Sequence, residues 1–395
     1  MTDASVLLDQ SILIDRAARL VEDARRAGAD AADAVAVRAM SVSVQVRDGA
    51  VEESERSEGD DVGLRVFVGK RQAVVSTNDL TADGMRGLAE GVSKSGSASA
   101  SAGVGGMVLA TSHGFHGAYL GSRHSISAMA IAGEGTGMER DYDYSSTLHA
   151  SDLDRPDAIG RSAGERAVAR LNPRKVATQK VPVVFDPRVA SSIVGHLAAA
   201  VNGASVARKS SFLRDKMGAK LFADGIRIID DPLRKRGQRS RPFDAEGVAG
   251  KKLAIIDDGV LTTWLLDCAT ARELRLATTG HAQRGVSSTP SPGATNLHME
   301  PGRLSPDALI ADIKQGFYVT DLIGSGVNGV TGDYSRGASG FWIEKGQRTY
   351  AVSEVTIAGH LLDIFRTLTP ANDLVFKYGT NAPTLRIEGL TLAGQ

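Results

Sequence analysis

The chain has 395 residues, and its 46 basic and 46 acidic side chains give a formal net charge of zero at pH 7. This length is enough for two or three domains, and the zero charge argues against a protein that grips nucleic acid over its whole surface. The single cysteine, Cys268, excludes a disulfide within the chain and a thiolate-rich metal site. The 44 glycines exceed the usual share of roughly 7%, which indicates many tight turns or close backbone contacts.

Targeting signals are not expected. The first 15 residues contain three aspartates and no basic n-region, and no run of about 18 apolar residues occurs in the chain. We therefore expect a cytoplasmic protein with no membrane partner.

The first part of the chain has the pattern of a helix followed by an antiparallel meander. Apolar residues at three- and four-residue spacing predict a helix over 11–27, which ends before Gly28. The period then changes to two, which predicts strands with these ranges and turns: 42–46, 62–68 and 71–76, joined at Asp48–Gly49 and Gly69–Lys70. A second helix is expected from Asn78 or Asp79 through Val92.

A low-complexity stretch of serine, alanine and glycine follows at 94–106, and we expect it to be a flexible loop. A helix is predicted over 157–171, after Pro156 and before Asn172–Pro173. We place a domain boundary at 173–180. It separates an N-terminal α+β domain (1–175) from a C-terminal domain (176–395).

The C-terminal domain is predicted to be β-rich with few helices. An apolar strand over Val181–Phe185 precedes an amphipathic helix over about 187–200, which Asn202–Gly203 ends. The remaining predicted strands are short: 226–229, 253–256, 261–266, 319–322, 341–343, 349–357 and 384–391. The expected fold class is thus α+β, a helix–antiparallel-sheet domain followed by a β-rich domain.

Histidine offers few catalytic candidates. A zinc-protease helix needs two histidines one turn apart and a glutamate that activates the metal-bound water, and no such motif occurs in this chain. His196, at the edge of the apolar face of the 187–200 helix, is either a packed histidine or a weak catalytic candidate. A catalytic role would also need a nucleophile and an orienting acid.

The stretch 205–241 is strongly basic within a neutral chain. It holds eleven Lys/Arg and four Asp, a net charge of +7. Such a stretch is typical of an anion or nucleic-acid contact, or of a solvated loop or subunit contact. Only Phe212 and Phe222 could stack on bases, so nucleic acid is the weaker interpretation.

The segment Thr331-Gly-Asp-Tyr-Ser-Arg-Gly337 is polar and leads directly into apolar residues 341–343. We expect a loop there, backed by strands, where a substrate backbone or a partner would be held.

This segment, extended to Trp342, resembles the signature loop of the TldE/PmbA branch of the TldD/PmbA proteins, once called modulators of DNA gyrase. Further segments resemble the same branch in the same order: Gly195-His-Leu197, Ser205-Val-Ala-Arg-Lys-Ser-Ser-Phe-Leu213, Asp244-Ala-Glu-Gly247, Ser353-Glu-Val-Thr-Ile-Ala-Gly359 and 385–395. The resemblance covers nearly the whole chain and is weakest around 95–150.

The resemblance implies a cytoplasmic metalloprotease of two subunits that degrades or trims flexible peptides. In that family a TldD subunit carries the zinc, and a TldE/PmbA subunit pairs with it to enclose a narrow channel. This chain is then expected to bind no cofactor itself, to form a heterodimer with a TldD-type subunit that holds Zn²⁺, and to support the channel and the peptide. The residues expected at substrate or partner contacts are Arg208, Lys209, Asp333, Tyr334, Ser335 and Arg336.

The departure from the catalytic sibling concerns the zinc helix. TldD proteins carry His-Glu-x-x-x-His where this chain has Gly195-His-Leu-Ala-Ala-Ala200. The resemblance also implies a cysteine ligand near the C-terminus, and 374–395 contains none. Because glycine and alanine have no ligating atom, we expect no metal site in this subunit. The alternative function is a nucleic-acid or gyrase-associated regulator that uses 205–241.

Overall fold

The structure, a computed structural model, describes residues 10–26, 28–47, 50–68, 71–77 and 96–394. Its described helices are α1 (Ser11–Arg26), α2 (Pro156–Ala169), α3 (Pro187–Ala200), α4 (Gly203–Ala207), α5 (Cys268–Leu274), α6 (Pro306–Ile310) and α7 (Leu361–Thr367). None of the described helices has both the length and the apolar character needed to cross a membrane.

Six long strands form an antiparallel N-terminal sheet in the order β3-β2-β1-β4-β5-β6. They are β1 (Ala31–Arg47), β2 (Ala50–Val68), β3 (Arg71–Thr77), β4 (Gly96–Thr111), β5 (His116–Ala132) and β6 (Glu139–Thr147). Helix α1 packs its buried apolar stripe, which includes Leu13, Ala17 and Val21, against β1 and β4. Helix α2 packs against β5 and β6.

The predicted flexible loop at 94–106 is wrong for its described part, because residues 96–106 belong to β4. Ser–Ala alternation is also a period-two pattern, and β4 finds partners on both sides. Ala100, for example, pairs with Val44 of β1 and with Ile126 of β5. Backbone pairing therefore overrides the weak strand propensity of small residues. The predicted helix over 78–92 and the turns at 48–49 and 69–70 lie outside the described residues.

The rest of the chain forms two further sheets and a small hairpin. Their strands are β7 (Gln179–Phe185), β8 (Ile228–Asp230), β9 (Leu253–Asp257), β10 (Val260–Leu261), β11 (Ala282–Gln283), β12 (Ser291–Pro292), β13 (Leu297–Met299), β14 (Gln315–Ile323), β15 (Asp333–Glu344), β16 (Gln347–His360), β17 (Thr369–Pro370), β18 (Thr380–Asn381) and β19 (Leu385–Ala393). One sheet runs β16-β15-β14-β7-β19-β17, and β19 also pairs with β16. All of its strands except β17 therefore close into a five-stranded barrel, the ring. The other runs β10-β9-β8-β13-β18.

Helix α3 joins these sheets, since it contacts β7 and β14 of the ring and β13 and β18 of the second sheet. Its apolar face, including Ile193 and Leu197, is fully buried in the largest hydrophobic core. This arrangement of one long antiparallel sheet and a β-rich remainder confirms the predicted α+β class. The boundary predicted at 173–180 lies between α2 and β7 and stays a prediction.

Candidate functional site

Helix α3 positions the candidate histidine. Asp186 caps its first turn by accepting a hydrogen bond from the backbone N–H of Arg188 at 3.1 Å, and Pro187 stands at the first helical position. The helix ends at Ala200, as predicted, and Asn202 then caps the short helix α4 by accepting from the N–H of Ala204 at 2.9 Å. The buried apolar face of α3, which includes Ile193 and Leu197, sets the rotation of the helix, and His196 lies against Tyr334 near the start of β15.

His196 forms a polar cluster with Tyr334 and Arg336, which point to the same face of β15. Tyr334 is buried, and His196 and Arg336 are half-buried. The rings of His196 and Tyr334 meet edge to face, with centroids 5.8 Å apart. Arg336 donates from Nη2 to the carbonyl of Leu322 at 3.3 Å. Among the described residues, three buried atoms of this cluster have no hydrogen-bond partner: His196 Nε2, the Tyr334 hydroxyl and Arg336 Nε.

The surroundings keep both rings of the cluster uncharged at neutral pH. Burial, together with the positive charge of Arg336, lowers the pKa of His196 to about 4. Burial raises the pKa of Tyr334 to about 12, with Arg336 acting in the opposite direction. A histidine with so low a pKa is a poor general base, because it binds a proton only weakly at pH 7.

The segment 331–337, predicted to be a loop, is a strand from Asp333 onward, and this prediction is corrected. The backbone N–H of Ser335 donates to the carbonyl of Gly326 at 2.7 Å, and that of Asn328 donates to the carbonyl of Asp333 at 2.9 Å. The glycine-rich loop 324–332 therefore folds back along one edge of β15, while β16 pairs with the other. These backbone partners convert a polar sequence into a strand.

Alternation along β15 separates the predicted contact residues into two sets. Tyr334 and Arg336 face the protein interior, and Tyr334 is only 1% exposed. Asp333 and Ser335 are exposed on the opposite face. Thr331 donates its hydroxyl to Asp333 Oδ2 at 2.6 Å, which orients that carboxylate.

Arg208 and Lys209 are exposed just after α4 and do not join the cluster. Within the described parts of the chain, neither side chain makes a hydrogen bond or an ion pair with 333–336. The backbone nevertheless brings the two segments together, because the N–H of Phe212 donates to the carbonyl of Gly329 at 2.9 Å. The two motifs are neighbours through Phe212 rather than through their charged side chains.

His360 is a residue of this region that the sequence analysis missed. Its Nδ1 accepts from the N–H of Leu362 at 3.2 Å, so Nε2 carries the proton and donates to the carbonyl of Thr331 at 2.8 Å. Gly332, at φ 89°, allows this approach, since a Cβ there would lie 3.0 Å from the His360 ring. A polar residue directly before the apolar Leu361–Leu362 is the sequence signal of a helix cap that could have identified it.

The residues at the zinc-helix position do not fit a metal ion. Gly195 opens onto free space, since a Cβ built there meets nothing within 4 Å, and Ala200 is buried at 5% exposure. Neither residue offers a ligating atom. Across the residues that the structure describes, no group of three or more His, Cys, Asp or Glu side chains could hold a metal ion. Burial and the nearby Glu246 raise the pKa of Cys268 to about 12, so its thiol stays protonated.

Four of the eleven basic residues in the stretch 205–241 form ion pairs with acidic groups of the same chain. Arg227 contacts Asp257 at 2.9 Å and Glu300 at 3.3 Å, and Arg236 contacts Asp152 at 2.5 Å. Further pairs are Arg214 with Asp215 and Lys220 with Asp224. Arg234 lies over the ring of Phe376 at 3.2 Å. The stretch is therefore not a continuous bare cationic surface.

Family models match three consecutive parts of the chain. Residues 32–102 match domain 1 of the PmbA/TldA metallopeptidases, 75–171 match the central domain and 178–394 match the C-terminal domain.

Curated relatives agree with these matches. The chain is 41% identical over 289 residues to the metalloprotease PmbA of Escherichia coli O157:H7, which covers 73% of this chain and 62% of that protein. It is 38% identical to a PmbA homolog of Haemophilus influenzae, over 77% of this chain and 66% of that protein. Each match leaves more than a third of the relative's length unaligned.

Solved structures have the same fold. A protein described as a modulator of DNA gyrase from Bacteroides thetaiotaomicron superposes with a TM-score of 0.86 at 26% identity, over 98% of this chain and 99% of that one. TldE from Thermococcus kodakarensis superposes with a TM-score of 0.83 at 18% identity, over 95% and 99%. Together with the C-terminal family model, which spans more than half of the sequence, these findings show that the chain belongs to the PmbA/TldD metallopeptidase family.

Proposed function

We propose that this chain is the non-catalytic subunit of a cytoplasmic two-subunit zinc metalloprotease that cleaves flexible peptides. Proteolysis is the activity named for the family. The division of labour, with Zn²⁺ held by a TldD-type partner and a peptide channel enclosed between the two subunits, is our proposal. We infer the cytoplasmic location from the resemblance to the family, which implies it.

The observation that carries this proposal is the composition of α3. The positions that the resemblance aligns with the sibling's two zinc ligands are Gly195 and Ala200, which have no ligating atom. The position of the general base is His196, whose imidazole is neutral and packed against Tyr334. A helix with this composition supports the fold rather than the chemistry of peptide hydrolysis.

The contribution of this subunit to peptide binding is expected from exposed side chains near the start of β15. Both backbone edges at this point are occupied, one by β16 and the other by the loop 324–332, so a peptide cannot add there as a further strand. Asp333 and Ser335 remain exposed, and the loop presents the apolar side chain of Val330 at 60% exposure beside them. We propose that this surface contacts the peptide or the catalytic subunit.

The alternative of a nucleic-acid regulator is not favoured. Arg214, Arg227 and Arg236 of the basic stretch are already paired with carboxylates, so they offer little charge for phosphate contacts.

The test is reconstitution with the TldD-type subunit of the same organism. We expect the two chains to copurify, casein cleavage to need both, and Asp333→Ala with Ser335→Ala together to slow cleavage by the mixture several-fold. The matched control is Asp363→Ala on α7, whose carboxylate is also exposed and lies outside the proposed surface. Cleavage by this chain alone, or no association with the sibling and no effect on its activity, would refute the proposal.

A further inference from the structure

A cavity of about 500 Å³ lies between the N-terminal sheet and the C-terminal part of the chain. One wall comes from three strands of the sheet, with Val37 on β1, Gly105–Met107 on β4 and Tyr119–Gly121 on β5. The other wall comes from 238–241 and 283–284. This volume is typical of small-molecule sites, which measure roughly 300–1,000 Å³.

The cavity is lined by cations and by no anion. Arg239, Arg241 and Arg284 line it, and none of the described lining residues is acidic. Arg241 and Arg239 belong to the C-terminal end of the basic stretch, where the acidic partners described above are absent. The wall therefore has a local positive charge within a neutral chain.

Two of these guanidinium groups have buried nitrogen atoms without hydrogen-bond partners among the described residues. The Arg284 side chain is 0% exposed, and its Nη1 pairs with Asp33, while Nε and Nη2 have no partner. Nε and Nη2 of Arg241 are likewise buried and unpartnered. Leaving such donors unsatisfied costs free energy, about 1–3 kcal/mol for a neutral group and more for a charged one.

The carboxylates nearest to these arginines are held by other groups. Asp33 accepts two hydrogen bonds from Arg65, at 2.9 and 2.6 Å, besides its contact with Arg284. Asp244 accepts from the backbone N–H groups of Glu246, Val248 and Ala282 at 2.9–3.0 Å. These carboxylates therefore leave the free guanidinium nitrogens of Arg241 to another acceptor. In agreement, burial lowers the pKa of Arg241 despite the nearby acidic groups.

The remaining surface of the cavity fits an uncharged, planar part of a ligand. Gly105 and Gly121 form part of it, and a Cβ at either position would have no neighbour closer than 3.5 Å. The apolar residues Val37, Met107 and Leu148 line the same cavity. A ligand that meets this surface would combine an apolar part with an anionic head group.

We propose that this cavity binds a small organic oxyanion, with its phosphate or carboxylate group on Arg241 and Arg284 and its apolar part on the glycine surface. Guanidinium groups bind both kinds of oxyanion through paired N–H···O hydrogen bonds, which makes arginine suited to such a site. The site does not depend on the proposed protease role. It would couple ligand binding to the contact between the two parts of the chain.

The test is calorimetric titration of the full chain with three probes that share a phenyl group: phenyl phosphate, benzoate and the neutral benzyl alcohol. We expect saturable binding of at least one anion, at least about tenfold tighter than that of benzyl alcohol. Tighter binding of phenyl phosphate would identify a phosphate ligand, and tighter binding of benzoate would identify a carboxylate.

Variants then locate the site. Arg241→Gln should weaken anion binding at least about tenfold, whereas Lys235→Gln, which removes the same charge from the same stretch but lies outside the cavity, should leave it unchanged. NMR spectra of the unaltered chain with labelled methionine methyl groups give an independent readout. The methyl resonance of Met107 should shift when phenyl phosphate or benzoate binds, and that of the exposed Met217 should not. No saturable binding of either anion at millimolar concentration, equal binding of benzyl alcohol, equal binding by Arg241→Gln or an unmoved Met107 would overturn the proposal.

Discussion

The polar cluster around His196 determines the protonation state of this residue. His196 faces Tyr334 and Arg336 instead of a carboxylate, and burial keeps its imidazole neutral. A histidine that is neutral in the folded chain lowers the free energy of unfolding at acidic pH, because the unfolded chain binds a proton more tightly than the folded chain does.

The pH dependence of stability should therefore depend on His196. The folded pKa of about 4 is below the ordinary 6.5, so the stabilising effect of the neutral side chain is complete above pH 6.5 and is lost as the pH falls toward 4. Compared with His196→Gln, the unaltered chain should lose about 3 kcal/mol more of its free energy of unfolding over this range. Urea denaturation at pH 7, 5.5 and 4.5 measures the difference. Parallel pH profiles of the two proteins would show that His196 titrates normally.

The sequence predicts the position of one member of this cluster, His196. The position of His196 at the edge of an apolar helix face follows from its spacing to Ile193 and Leu197. Tyr334, which His196 contacts, lies 138 positions further along the chain, and no local sequence pattern predicts a contact between residues so far apart. The sequence predicts Tyr334 and Arg336, together with Asp333 and Ser335, at substrate or partner contacts, and only the strand alternation separates the two pairs.

At the scale of elements, close backbone approach makes the glycine-rich loop and β15 one unit. Gly326 is the critical position, since a Cβ there would lie 1.6 Å from the carbonyl oxygen of Ser335. Gly329 on the same loop has room, with its nearest neighbour, the carbonyl oxygen of Ser210, at 3.6 Å. The pair offers a matched comparison of two glycines in one loop.

Gly326→Ala should therefore push the loop off β15 and lower the free energy of unfolding by about 2 kcal/mol or more. Gly329→Ala should change it by no more than about 0.5 kcal/mol. Urea denaturation of both variants at pH 7.5 measures this, and casein cleavage by the reconstituted mixture should fall with Gly326→Ala. Similar stability of the two variants would mean that the loop does not depend on this contact.

The elements themselves were predicted unevenly. Helix α3 matches its prediction because a cap, a buried face and an Asn-Gly stop agree at the level of the sequence. The strands β15 and β16 are longer than predicted, since most of the residues missed at their ends are glycine, alanine or polar residues that pair through the backbone. Strand β4 was missed for the same reason, because its serine and alanine residues carry little side-chain signal.

At the scale of the whole molecule, the zero net charge results from an uneven distribution of charged residues. The neutral chain contains a basic stretch whose middle part holds several internal ion pairs and whose C-terminal end lines the cavity beside the N-terminal sheet. The closure of five strands into a ring leaves these strands without free edges at which a peptide could add. Under the proposed function, contacts of the ring with a peptide or a partner would therefore depend on side chains, and the partner would supply the chemistry.

This chain belongs to a metallopeptidase family, and we propose that it has no zinc site of its own. Metal analysis of the purified full chain, equilibrated with excess zinc and then freed of unbound metal, tests this proposal most directly. We expect far less than one zinc per chain and no casein cleavage, with both zinc and cleavage present once a TldD-type subunit is added. One tightly held zinc per isolated chain, together with cleavage that a chelator abolishes, would contradict it.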